Sequence, residues 1–209
     1  MRDVLLSIAD DASRLIVLGD VKDSVPGSNK QEYREIPDFF QAMLERFDTV
    51  DVVIGNHDTQ IEEFLPRHVN IHPATGIRIG DVGMIHGHVR PSADVMRSGM
   101  LITAHNHPTV MFRDGVGKRT TEPCWFRAPF ADVQNDDGGH PDEMIMIPSF
   151  NRLLGGSPVN TAEDGFLGPL MNSGMVNIDE ARIFLLDGIC LGKRKDLIVK
   201  GRERSGYRQ

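Results

Sequence analysis

Asn56, His57 and Asp58 follow directly on "VDVVIG", an apolar run that reads as a buried strand. An amide, an imidazole and a carboxylate in adjacent positions can do chemistry, or can simply turn the chain. Gly55-Asn56 is a common turn dipeptide because both residues tolerate positive φ. Thr59 with Glu62 fits a capping box, so "DTQIEEFL" can open a helix. That reading accounts for Asn56 and Asp58 and leaves His57 without a role. Recurrence decides the matter. Apolar runs also end at Asp20 in "LGD", at His86 in "IHGH", and at His105 and His107 in "AHNHP". Four strand-like segments thus deliver Asp, Asn or His at their carboxyl ends. In an open α/β sheet those ends converge on one crevice, where ligands bind.

The donor chemistry is specific. Asp20 offers hard oxygen, Asn56 a neutral carbonyl oxygen, and His86, His105 and His107 offer nitrogen. No cysteine belongs to the set, which argues against a thiolate zinc site. Mixed oxygen and imidazole ligation suits manganese, iron, zinc or similar divalent ions. A lone carboxylate can bridge two ions, and two ions about 3.5–4 Å apart form a clamp for phosphoester displacement. A neighbouring imidazole can protonate the leaving alkoxide.

These residues need elements to position them. Val4, Leu5, Ile8 and Ala12 fall on one helical face, so residues near 2 to 12 read as a short helix. "RLIVLGD" reads as a strand, and "GSNKQEYREIPDFFQAMLERF" contains a helix kinked or started near Pro37. After "VDVVIG" come a short helix stopped by Pro66, strands at "HVNIH" and "GIRIG", and a strand leading into "HGH". "PSADVMRSG" reads as a helix with Pro91 near its start and Gly99 past its end, and "MLITAHNHP" as a further strand. From Thr109 onward the pattern changes. Residues 113–143 read as an extended excursion with a few strand-like pieces, "MIMIPSF" as a strand, and 151–174 as loop. Asp187-Gly188 between apolar runs predicts a hairpin. Alternating strands and helices, followed by a strand-rich half, predict an α/β fold with further sheet packed on it. With no repeat, low-complexity tract or linker, one domain over 1–209 is expected.

Composition narrows the function classes. The net charge of -7 argues against a generic nucleic-acid coat protein while allowing a local basic patch. Cys124 and Cys190 are far apart, without metal-like spacing, and suggest buried thiols in a reducing compartment. No run is long and apolar enough for a membrane span, and the amino-terminal apolar patch is too short and too acidic for a signal peptide. A cytoplasmic location is the default expectation. The oligomeric state is not legible.

Taken in order, "LGD", "GNHD", "HGH" and "HNHP" resemble the calcineurin-like metallophosphoesterase superfamily. "LGDVKDS" and "MIPSFNRLLGGSPVN" make the chain similar to a small prokaryotic branch that includes the ligase-associated phosphoesterases. The resemblance implies a four-layer α/β sandwich, two β-sheets packed face to face with flanking helices. It implies two divalent metal ions, manganese first, with iron, zinc or nickel as alternatives. Asp20 would bridge them, Asn56, His86 and His105 would complete one, and His107 would bind the other. His57 would be the general acid or charge stabiliser, with Asp58 holding its ring. The substrate would be a phosphoester, a phosphodiester of a nucleotide or nucleic acid before a phosphomonoester. Ala104 stands where a glycine is common, with little chemical consequence.

One motif departs from the pattern. The family's first strand carries Asp-x-His, whereas Asp10 and Asp11 in "SIADDAS" are followed by Ala12 and Ser13. The expectation is therefore that the chain starts after that strand, and that one metal keeps only Asp20 and His107. Two functions follow: a phosphoesterase with one weak metal site, or a non-catalytic binding or scaffold module retaining a degenerate site. Lower in rank, His88 is expected to support the site by hydrogen bonding and Lys22 to be exposed. His68, His72 and His140 are expected on the surface or in loops. The basic end, "GKRKDLIVKGRERSGYRQ", reads as a solvated tail before a nucleic-acid contact.

Overall fold

Parallel pairing of three short strands sets the first half of the molecule. The computed structural model describes residues 1–24, 27–131, 139–162 and 165–199. Helix α1 (Arg2–Ile8) leads into β1 (Arg14–Val17), α2 (Lys30–Arg46), β2 (Thr49–Val53) and β3 (Val69–His72). Strands β1, β2 and β3 form a parallel sheet in that order. β4 (Ile77–Ile79), β5 (Val82–Ile85), α3 (Ala93–Met96), β6 (Met100–Thr103), β7 (Pro108–Arg113), β8 (Arg119–Pro129), β9 (Glu143–Met146) and β10 (Ser157–Pro158) follow, then β11 (Arg182–Leu185) and β12 (Cys190–Lys193). These build a 9-stranded mixed sheet along the path β10-β7-β8-β9-β6-β5-β4, with β11 joined to β8 and β12 to β11. The mixed α/β architecture expected from the sequence is present. Most of the basic carboxyl-terminal tail lies outside the described residues.

Helix α2 owes its start to a capping box. The Asn29 side chain accepts from the N–H groups of Gln31 and Glu32, and Glu32 accepts in return from the Asn29 N–H at 2.9 Å. The helix therefore begins at Lys30, and Pro37 lies inside it rather than near its start. Its Ile36, Phe40 and Met43 recur at helical spacing and pack on Val50 and Val52, with Leu15 and Val17 beside them. Full burial of each such side chain contributes about 1.5–3 kcal/mol. Helix α1 lies against the same cluster through Leu5 and Leu6. Val4 and Ile8 point to solvent, so the apolar face differs from the one the sequence suggested, and the helix ends at Ile8 rather than near 12. The Arg46 guanidinium closes the following turn on the carbonyls of Asp10 and Ala12.

The opposite face of the small sheet meets the large one. Leu18 and Val53, with Ile16, pack against Met84, Ile77, Ile79, Val82 and Ile102. This joint also carries a buried carboxylate, because Asp51 alternates onto the same face as Val53. Asp51 accepts from Arg14 Nε at 2.7 Å and Asn70 Nδ2 at 3.2 Å, and pairs with His72 Nε2 at 2.7 Å. His72 is thus a strand residue in a buried network, not a surface or loop histidine. The far face of the large sheet buries Ile85, Leu101, Phe126, Met144, Met146 and Ile183. Its cover, among the described residues, is one-turn α3 and the segment through Leu170, Met171 and Val176. β7 ends where the excursion read from the sequence begins and forms a hairpin with β8 inside it, and β8 runs for 11 residues. The Asp187-Gly188 hairpin joins β11 and β12 as expected. Cys124 is buried, which pushes its thiol up to about 12, whereas Cys190 is exposed, against expectation.

The Asp51 network makes a pH-dependent contribution. Burial opposes the charge on Asp51, but Arg14, His72 and Asn70 outweigh it and hold the carboxyl below its ordinary value. A lowered folded value means stability present above the unfolded value of about 3.9 and lost as pH falls through the folded one. Asp51→Asn is therefore expected to lower the unfolding free energy by about 1–3 kcal/mol at neutral pH. Urea titrations should show the gap between parent and variant closing below about pH 4. A gap that does not change with pH would refute this account.

Candidate metal centre

Two glycines bring the first two strand ends into contact. Gly19 has φ +77°, and a Cβ there would lie 2.5 Å from Gly55 N and 2.8 Å from His86 Nδ1. A Cβ at Gly55 would lie 2.3 Å from Asp20 Oδ1. Asp20 itself has φ +53°, and His105 and His107 are also left-handed. Such positions cost about 1–3 kcal/mol each and gather at functional sites. The Asp58 carboxylate, only 2% exposed, fixes the crossing. It accepts from the N–H groups of Asp20, Val21 and Gly55 at 2.8 Å and of Lys22 at 3.2 Å. The resemblance implied that Asp58 holds the ring of His57. Its hydrogen bonds all go to backbone instead, because the side chain reaches across to the loop after β1 and back to Gly55. The half-buried His57 ring has Nδ1 3.4 Å from the Asp23 carbonyl oxygen, and its N–H donates to Asp20 Oδ1 at 3.1 Å.

Around this crossing the donors converge. His86 is buried, and its Nδ1 donates to the Leu18 carbonyl oxygen at 2.7 Å. Its Nε2 then faces Asn56 Oδ1 and His105 Nδ1, each at 3.1 Å, and Asp20 Oδ2 at 3.4 Å. Asp20, His86 and His105 each offer a ligand atom, all within 4.8 Å of one another. Donors bound to one ion by bonds of about 2.0–2.2 Å stand about 3 Å apart, so the set fits a shared divalent cation. The charges agree with this. Burial opposes ionisation of Asp20 and His86, yet their mutual hydrogen bond holds Asp20 below and His86 above the ordinary value. Burial, then the neighbouring His86 charge, pushes His105 down to about 4.

Other expected residues are placed differently. His107 follows on the same loop but stands outside the three-residue cluster. Among the described residues His88 has no supporting hydrogen bond and its buried Nδ1 no partner, and its ring centroid is 5.3 Å from that of His86. Lys22 is 3% exposed rather than exposed. Its Nζ donates to the Thr59 carbonyl oxygen at 2.8 Å and lies 5.2 Å from the Phe64 ring centroid, bracing the 55–59 loop. That loop continues into a single 3₁₀ turn, Ile61–Glu63, without the Thr59 cap. His68 is exposed, and His140 stacks on Phe130 at 5.3 Å. Asn106 escaped the sequence reading. It is buried and exchanges two hydrogen bonds with the Leu167 backbone, at 3.1 and 2.7 Å. Its place between two histidines was the available signal. A Cβ at Gly168 would lie 2.2 Å from the Gly87 carbonyl oxygen, and one at Gly156 the same distance from that of His107. Both loop-rich tail segments therefore lie against the histidine loops.

Fold and donor set together define a two-sheet α/β sandwich with a candidate metal centre at the carboxyl ends of β1, β2, β5 and β6. Among solved structures, the nuclease MPE of Pseudomonas putida is similar, with 16% identity and a TM-score of 0.51 over 88% of this chain and 71% of that one. At that identity the likeness is one of fold. No family model matches the chain, and no curated protein does.

Manganese added to chelator-treated protein is expected to raise the melting temperature. A ligand at 100 times its Kd stabilises by about 2.7 kcal/mol. His86→Ala and His105→Ala should abolish the increase in differential scanning fluorimetry. An undiminished increase in both variants would place the ion elsewhere.

Proposed function

We propose that this chain is a metal-dependent phosphoesterase acting on a phosphodiester of a nucleotide or nucleic acid. One observation carries the reading. The Asp20 carboxylate, the Asn56 amide oxygen and one imidazole nitrogen, that of His105, crowd within 3.1–3.4 Å of His86 Nε2, and the Nδ1 of that ring is already committed to the Leu18 carbonyl oxygen. Asp20, Asn56, His86 and His105 would hold the ion, with His107 on the same loop available to a second. When bound, such ions lower the pKa of a water and neutralise charge on the phosphoryl oxygens. Manganese suits the oxygen and nitrogen donors, with iron, zinc or nickel next. His57, tied through its N–H to Asp20, presents a half-buried imidazole that can protonate the leaving oxygen. The structural neighbour is named a nuclease, which supports a nucleic-acid substrate. The second reading, a non-catalytic binding module, draws on His107 standing outside the cluster.

The test is hydrolysis of bis-p-nitrophenyl phosphate and of a linear oligonucleotide with manganese. Chelation should abolish turnover. His57→Ala should lower kcat by about 10²- to 10⁴-fold while keeping its metal, and His105→Ala should lose both metal and turnover. A parent that binds manganese without turnover favours the binding module. A His57→Ala variant as fast as the parent removes His57 from catalysis.

A further inference from the structure

Beside the metal centre, a groove of about 260 Å³ runs between α3 and the segment 169–175. Both walls begin at the centre. Arg90 and Pro91 follow His88, and Pro169 and Leu170 follow Gly168, which sits on the Gly87 backbone. Two residues of extended chain span about 7 Å at most, so the Arg90 backbone stands within that distance of His88. The walls differ in chemistry. Met96, Leu170 and Met175 give an apolar interior, and methionine sulfur makes favourable contacts with aromatic rings. Arg90 and Arg97 stand on one wall. Arg97 is engaged by Asp94 at 3.3 Å, whereas Arg90 is exposed and makes no ion pair with any described residue. In a chain with net charge -7, a guanidinium with no ion pair among the described residues, beside a candidate phosphoester centre, is a local exception.

We infer that this groove is a subsite for the nucleotide next to the scissile phosphodiester of a single strand. Its base enters between Met96 and Met175, and its phosphate is met by Arg90. The inference rests on the phosphodiester reading above and adds the substrate's form. Guanidinium groups bind phosphate oxygens through a planar fork, which a lysine does not reproduce. A base inside a duplex is stacked and paired, so a groove that takes up a base selects single strand over duplex.

The experiment is fluorescence anisotropy of a labelled short oligothymidylate on the full chain, with manganese and separately with chelator. Arg90→Ala is expected to weaken binding about 5- to 100-fold under both conditions and to reduce the salt slope by about one. Arg90→Lys should recover the slope but only part of the affinity. Arg97→Ala, already engaged by Asp94, should change binding less than Arg90→Ala does. A duplex of the same length should compete poorly. Affinity unchanged in Arg90→Ala, or a duplex that competes as well as the single strand, would overturn the subsite. The two readings fail separately. Arg90-dependent binding without turnover of bis-p-nitrophenyl phosphate keeps the groove and removes the phosphoesterase. Turnover without an Arg90 effect on binding does the reverse.

Discussion

The candidate centre depends on one buried carboxylate. Parallel pairing of β1 and β2 brings their carboxyl ends side by side, but it does not make the two loops beyond them share a geometry. Asp58 does so by accepting from N–H groups on both loops, those of Asp20, Val21 and Lys22 on one and Gly55 on the other. Without it, several amides close to the core would lose their partners, each at about 1–3 kcal/mol. The left-handed backbone of Asp20 and the glycine-only contact at Gly19 and Gly55 are tolerable because those bonds fix the crossing. Asp20 aims its carboxylate at His86 from that crossing, and the same carboxylate receives the His57 N–H.

Similar clamps recur where regular structure is thin. Glu32, buried at the start of α2, accepts from the N–H groups of Asp23, Ser24 and Asn29 and so anchors the segment after Asp20. Asn106 fastens the histidine loop to Leu167. Asn160 bonds both backbone groups of Met111 and the carbonyl of Leu197. Each supplies hydrogen bonds that a helix or sheet ladder would otherwise provide, because buried backbone groups must be paired somewhere. The loop-rich second half can thereby cover the far face of the large sheet.

This division explains what was legible in the sequence. Apolar runs with polar carboxyl ends are local patterns, so the strands ending at Asp20, Asn56, His86 and His105 could be read directly, and a shared crevice follows from sheet topology. The partners of a clamp are nonlocal. Nothing near Asp58 announces that its carboxylate will serve amides 36–38 residues earlier in the chain, and nothing near Lys22 announces burial against Phe64. His72 reads as an ordinary histidine until β3 pairs with β2 and brings it to Asp51. The buried face of α1 is not legible, because Val4 and Ile8 fit a helical stripe that the small sheet does not meet. Strand β8 is hard to read because Pro123 lies within it and the exposed Trp125 and Arg127 alternate with its buried residues.

Electrostatics connects the centre to its surroundings. An acidic chain repels a phosphodiester at long range, but at physiological salt that repulsion is screened beyond about 8 Å. What a substrate meets at contact is therefore set by the few charges at the crevice. Without a cation, these are the Asp20 carboxylate and a His86 ring raised by it, with His105 held near the neutral form. That arrangement offers an anion little. A divalent ion among the same donors reverses the local sign, and Arg90 extends the positive region along the groove by the length of about two residues from His88. On the proposed reading, metal binding therefore adds to the attraction that Arg90 supplies on its own. The donor set that holds the ion also makes the crevice attractive to phosphate, and the acidity of the remaining surface keeps that attraction local.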